Sequence, residues 1–136
     1  MAQFDPDILP ALLDRLRDQS LCPSLVTVDE AWFMEPMDRL EEETPAAFAY
    51  LAEDGAAGEV QTTRPRQAIT MNYGVWLVCT RDQFRPLRGE IRAALFGHCF
   101  SERHEPMAYR GGKADIRGAY IWWREFWTTD TTLFKQ

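Results

Sequence analysis

QAITMNYGVWLVCT, residues 67–80, is the longest β-type run in the chain. Ile69, Met71, Tyr73, Val75, Leu77 and Cys79 recur at period 2 on one face, and Ala68, Thr70, Asn72, Gly74, Trp76 and Val78 occupy the other. Alternating side-chain direction makes this a strand with one apolar and one mixed face. At about 3.3 Å per residue it spans roughly 46 Å, against a usual strand of about five or six residues. Gly74 is the expected place for it to bend or bulge. The rest of the chain reads as what pairs with this strand or covers it.

On its N-terminal side, residues 54–66 (DGAAGEVQTTRPR) carry the Gly, Thr and Pro of a loop, and residues 46–53 (AAFAYLAE) read as a second strand. Together they predict a long hairpin with 54–66 at its tip. On the C-terminal side, Phe84, Leu87, Ile91 and Leu95 mark a helix over 82–97, with Pro86 near its start and Gly97 where a C-terminal cap belongs. A connection over 100–106 follows, then a short strand over 107–110 stopped by Gly111-Gly112. Residues 113–118 read as a turn, and 119–134 (AYIWWREFWTTDTTLF) as a last long strand. Near the N-terminus, Asp5-Pro6 is a helix-start signal, and Ile8, Leu12 and Leu16, with Leu9 and Leu13, give an amphipathic helix to Gln19. Pro10 places the start of the regular helix near Leu9. Residues 24–28 (SLVTV) are a short strand, and 29–44, apolar and then acidic, take no assignment. The order α, β, β, β, α, β, β predicts one α+β domain over 1–136: a mainly antiparallel sheet of four to five strands, two helices on one face, and a long projecting hairpin.

The chain has 136 residues, enough to bury a core without a metal or disulfide. Its net charge of −6 gives no electrostatic footprint for sequence-specific nucleic-acid binding or for an anionic membrane. No uncharged apolar run reaches membrane-spanning length, and the N-terminus lacks the pattern of a signal peptide. Cys22, Cys79 and Cys99 form no CxxC pair and read as reduced thiols of a cytosolic setting, Cys79 in the core. The hydrolase elbow, the phosphate loop and the dinucleotide fingerprint are absent. His98 and His104 match no zinc spacing, and no nucleophile, base and orienter assemble. The expectation is therefore no catalytic residue, no cofactor and no metal. The alternative of a small enzyme or ligand-binding domain needs a pocket with converging polar groups.

Trp122, Trp123, Phe126 and Trp127 place large rings on both faces of the last strand. A two-layer domain leaves one sheet face to water, so the second face needs a cover. That cover is either residues 29–37 folding over it or a neighbouring subunit, since Trp and Tyr concentrate at interfaces. A base-stacking platform is a third reading, which the acidic charge opposes.

The ordered set of these features resembles the tail terminator (tail completion) proteins of long-tailed bacteriophages, those of Mu-like phages in particular. The features are an N-terminal helix ending LLDRL, the strand PAAFAYL, a loop with TRPRQ and the strand QAITMNYGVWLVCT. A helix LRGEIRAALFG, the segment MAYRGG and an aromatic strand ending WREFWTTD complete the set. The resemblance implies a non-enzymatic α+β subunit of the virion, assembled in the host cytoplasm. It forms a hexameric ring at the head-proximal end of the tail, ends growth of the tail tube and offers a surface to the head-tail connector. DNA passes through such a ring, and Glu41, Glu42 and Glu43 are candidates for an acidic lining. A connector or another minor tail protein is the alternative role. Trp122 and Trp127 are candidates for subunit contact because the last strand carries more aromatic surface than two helices cover. Arg64 and Arg66 are candidates because the hairpin tip can reach a neighbour's acidic surface.

Overall fold

The structure is a computed structural model that describes residues 5–31 and 44–135. The predicted central strand is β3, Arg66–Thr80, flanked by β2 (Ala46–Ala56) and β5 (Tyr120–Phe134). β1 (Thr27–Glu30) lies outside β2 and β4 (Ala108–Arg117) outside β5, giving the sheet order β1-β2-β3-β5-β4. Every pairing is antiparallel except β1 with β2. β3 pairs with β5 without interruption from Arg66↔Phe134 to Thr80↔Tyr120. Two helices, α1 (Leu9–Arg17) and α2 (Arg81–Leu95), cover one face, as the α+β reading expects.

Period 2 decides which side chains meet the helices. Ile69, Met71, Tyr73, Val75, Leu77 and Cys79 pack with Leu9, Leu12, Leu13 and Leu16 of α1 and with Leu87, Ile91, Ala94 and Leu95 of α2. The opposite face holds a smaller cluster of Ala31, Ala46, Phe48, Trp76, Val78 and Trp122. The predicted cover for that face, 29–37, lies outside the described residues from position 32 onward, as do Glu41 to Glu43.

Local chemistry sets the helix ends. The Tyr73 hydroxyl accepts from the Ile8 amide (2.9 Å) and donates to Asp7 Oδ1 (2.9 Å), and Asp7 Oδ1 also accepts from the Leu9 amide (3.0 Å). Asp7 thus holds the start of α1, where the sequence pointed to Asp5. Burial pushes the Tyr73 hydroxyl above its ordinary range, so it stays protonated and able to donate. Thr80 and Gln83 form a capping box at α2, and Gly97 follows its end with φ 76°.

Three local expectations change. β1 begins at Thr27, because the Val26 and Thr27 amides both donate to the Pro45 carbonyl and hold the segment beside β2. Gly74 neither bends nor bulges β3; the missing Cβ makes room for the Tyr50 ring, which a Cβ there would overlap. The bulge lies on β2, between Leu51 and Glu53, and β2 continues to Ala56, past the predicted strand end. Gly111-Gly112 does not stop β4. Gly111 (φ 148°) follows a bulge after Tyr109, and Gly112 lets the Trp123 ring lie across the backbone. The strand therefore runs on to Arg117, and a two-residue turn, Gly118-Ala119, leads into β5.

Gly112→Ala drives a methyl into an indole held by Glu125 and by the edge of Phe84. A loss of about 1–3 kcal/mol is expected in urea unfolding, the range for overpacking. Gly55→Ala, in open space, is expected to be neutral or mildly stabilising. Thiol labelling gives a second test. Burial pushes Cys22 and Cys79 up to about 11, whereas Cys99 is exposed. One thiol is expected to react promptly in the native protein and all three in denaturant; three fast thiols in the native state contradict this core.

Candidate assembly surface

The last strand carries a buried carboxylate that the sequence reading passed over. Trp123, Glu125 and Trp127 stand two residues apart and so point to the same, helix-covered face. Glu125 is 1% exposed and accepts from both indoles, Trp123 Nε1 at 2.9 Å and Trp127 Nε1 at 3.0 Å. Arg92 of α2 approaches it at 3.7 Å and donates to the Tyr109 hydroxyl of β4 at 3.1 Å. Arg88 lies over Phe84 and Trp123. Burial raises the Glu125 carboxyl above the ordinary range, while the two indoles and Arg92 pull it down. The W-x-E-x-W spacing at period 2 was the signal available for this cluster. It joins α2 to β4 and β5 and offers no reacting group to solvent.

Trp127 is fully buried in that cluster, edge-on to Tyr109. Trp122 is fully buried on the other face, edge-on to Trp76 at 6.1 Å. Both indoles are buried within the single subunit, so neither ring is at its surface. The ring area assigned to a neighbour is absorbed by the helix layer on one face and by Phe48, Trp76 and Val78 on the other. Beside them, Arg124 lies over the rings of Trp76 (4.8 Å) and Phe126 (5.2 Å) and donates to the Tyr50 hydroxyl (3.3 Å).

The arginine pair is at the surface. Arg64 is exposed in the turn between β2 and β3, and Arg66 opens β3 with its Nε donating to Gln61 Oε1 (3.1 Å). A backbone bridge between Gln61 and Arg66 closes this tip. The tip and the distal half of β2, from Leu51 to Ala56, are exposed throughout. Near the base of the tip, Val60, Pro65, Arg66, Gln67, Leu133, Phe134 and Lys135 border an open hollow of about 350 Å³. β4 is likewise exposed along nearly its whole length. Large apolar side chains at the surface include Leu51 on β2, Val60 in the tip, Phe96 after α2 and Ile116 on β4.

The histidines are structural in their surroundings. His104 is buried, with Nδ1 against Ser101 Oγ (2.6 Å) and Nε2 against the Pro6 carbonyl (2.9 Å), which ties the connection before β4 to the lead-in of α1. His98 packs edge-on to Phe100, and its pKa is lowered by burial and by Arg15. Among the described residues, no three His, Cys, Asp or Glu side chains gather as metal ligands. No helix among them is long and apolar enough to cross a membrane.

The described residues thus form a two-layer α+β fold whose exposed features include strand edges and a hairpin tip. The sequence profile of the phage tail terminator protein family matches residues 1–135, and the chain belongs to that family. It is thus a virion structural protein of the tail and not an enzyme. No curated protein sequence matches the chain. Its fold is similar to a chain in a solved structure titled "Virion of native gene transfer agent (GTA) particle", with TM-score 0.54 and 13% identity, covering 91% of this chain and 94% of that one.

The Glu125 cluster yields a stability test with a pH signature. Glu125→Ala strips the acceptor from two indoles, one of them fully buried, and is expected to cost about 1–3 kcal/mol. The folded-state pKa is raised, so the unfolded chain ionises first, and this group's contribution to stability falls as pH rises through the ordinary carboxylate range. Glu125→Gln removes that dependence. The stability advantage of the wild type over Glu125→Gln is therefore expected to shrink as pH is raised from the ordinary carboxylate range, about 4, read by urea unfolding. An advantage that grows as pH is raised contradicts the raised pKa.

Proposed function

We propose that the protein forms a closed ring, a hexamer, on the last ring of tail-tube protein, and that it is the terminator of a Mu-like tail. The ring ends tube growth and presents the surface to which the connector of the filled head attaches, at the head-proximal end of the tail. The observation that carries this reading is the family match over 1–135, which leaves almost no part of the chain to another function. The similarity in fold to a chain of a gene transfer agent virion supports it.

The physical features are of the kind such a role needs. A ring requires a head-to-tail contact between two different surfaces that closes on itself. Two sheet edges and an exposed hairpin tip supply unlike surfaces on one rigid subunit. Arg64 and Arg66, at or beside the tip, are the residues through which it reaches a neighbour's acidic surface. The acidic balance, 21 acidic against 15 basic residues, suits a pore that lets DNA pass without holding it.

The test is the mass of the purified protein by light scattering, with negative-stain images, alone and after adding tail tubes. Six copies of 15.8 kDa give a particle of about 95 kDa, and rings or capped tube ends are expected. A stable dimer with no affinity for tubes overturns the reading.

A further inference from the structure

The sheet ends in two edges of opposite charge. Among the described residues β4 pairs with β5 on one side only, so its outer edge presents N–H and C=O groups with no strand partner there. On the other side of the sheet, β1 pairs only with Ala46 to Ala49 of β2. From Tyr50 to Ala56 the outer edge of β2 has no strand partner among the described residues. This stretch and the loop beyond it carry Glu53, Asp54 and Glu59, all exposed, and no base before Arg64. β4 carries Arg110, Lys113 and Arg117, all exposed, against one acid, Asp115. Arg117 is engaged with Asp115 at 2.9 Å, which leaves Arg110 and Lys113 as the net charge of that edge. Each edge also exposes one large apolar side chain, Leu51 on β2 and Ile116 on β4.

Strand direction adds a second constraint. β2 runs antiparallel to β3, β3 to β5 and β5 to β4, so β4 runs antiparallel to β2 within one subunit. A second copy set beside the first in the same orientation therefore brings its β4 antiparallel to the open stretch of β2. The alternation of the sheet continues across the boundary. Pairing two β4 edges sets cations against cations, and pairing two β2 edges sets acids against acids; both are disfavoured.

We propose that the subunits of the ring join by antiparallel pairing of the outer edge of β4 with the open edge of β2, residues 50–56, of the next copy. The pairing rests on the ring reading above and assigns its contact. Backbone hydrogen bonds supply the adhesion, and the opposite charges select the head-to-tail partner. The two edges lie at opposite ends of the sheet, so the contact repeats around a rotation axis until it closes.

The test uses two charge-reversed full-length proteins, Glu53→Lys with Asp54→Lys, and Arg110→Glu with Lys113→Glu. Each carries like charge on both edges. Each alone is expected to lose rings, on tube ends and in solution, or to need at least about tenfold more subunit for half assembly. An equimolar mixture is expected to recover them, because an alternating ring sets acid against base at every boundary and closes for six copies. Thermal unfolding at the wild-type temperature separates loss of contact from loss of fold. If a variant does not fold, the wild-type ring is titrated with salt, and weakening with ionic strength is expected. Normal rings from either variant alone, no recovery in the mixture of folded variants, or salt-indifferent wild-type rings each overturn the pairing while leaving the ring reading intact. A wild type that neither forms rings nor caps tubes overturns the ring reading itself, and the pairing with it.

Discussion

The structure depends on the unbroken antiparallel ladder between β3 and β5. Its pairs run from Arg66↔Phe134 to Thr80↔Tyr120 with no register shift, so both faces of both strands are set together. The ladder decides that Tyr73 and Trp127 face the helices while Trp76 and Trp122 face away. β2 and β4 each add to it with a single bulge, and the helices then cover the face where the apolar residues of β3 are continuous. A parallel arrangement of two strands this long would need long crossovers on both sides; the tight Gly118-Ala119 turn and the β2–β3 tip avoid them.

Where the code is periodic, it was legible. The alternation over 67–80 predicted the strand and its apolar face, which the helices cover. The spacing of Leu87, Ile91 and Leu95 predicted α2, and Gly97 its end. The resemblance to tail terminators rested on the order of such elements, and the family match carries it across the whole chain. Non-periodic signals misled. Gly-Gly reads locally as a stop, but on an antiparallel edge strand it served a bulge and a large cross-strand ring. Gly55 and the Ala pair after it read as loop, yet pairing with Thr70 and Ile69 draws β2 out to Ala56.

The proposed assembly surface was the least legible part. Aromatic density on the last strand looked like spare interface, because sequence shows how much ring area exists and not how much the same chain consumes. Trp122 and Trp127 are consumed entirely. What remains outside is modest in hydrophobicity, and much of it was read as loop or turn: the end of β2 from Asp54, the tip with Arg64 and Arg66, and β4 from Lys113 onward. An edge strand carries its binding capacity in backbone groups, which have no residue type and so leave no mark in composition.

Glu125 has a consequence for how the chain finds this arrangement. β5 is aromatic on both faces, and a strand greasy on two sides has weak hydrophobic preference for one registration over its neighbours. A slip of one position would turn the carboxylate away from Arg92 and into the Trp76 face. A slip of two would keep the face but carry Glu125 off the arginine and set Trp123 or Trp127 in its place. A single buried acid thus acts as a key that fits one alignment of the longest ladder in the molecule, as a lone polar residue does in the seam of a coiled coil. The carboxyl that burial raises above its ordinary range is also what gives the sheet a unique frame, and every edge beyond it inherits that frame.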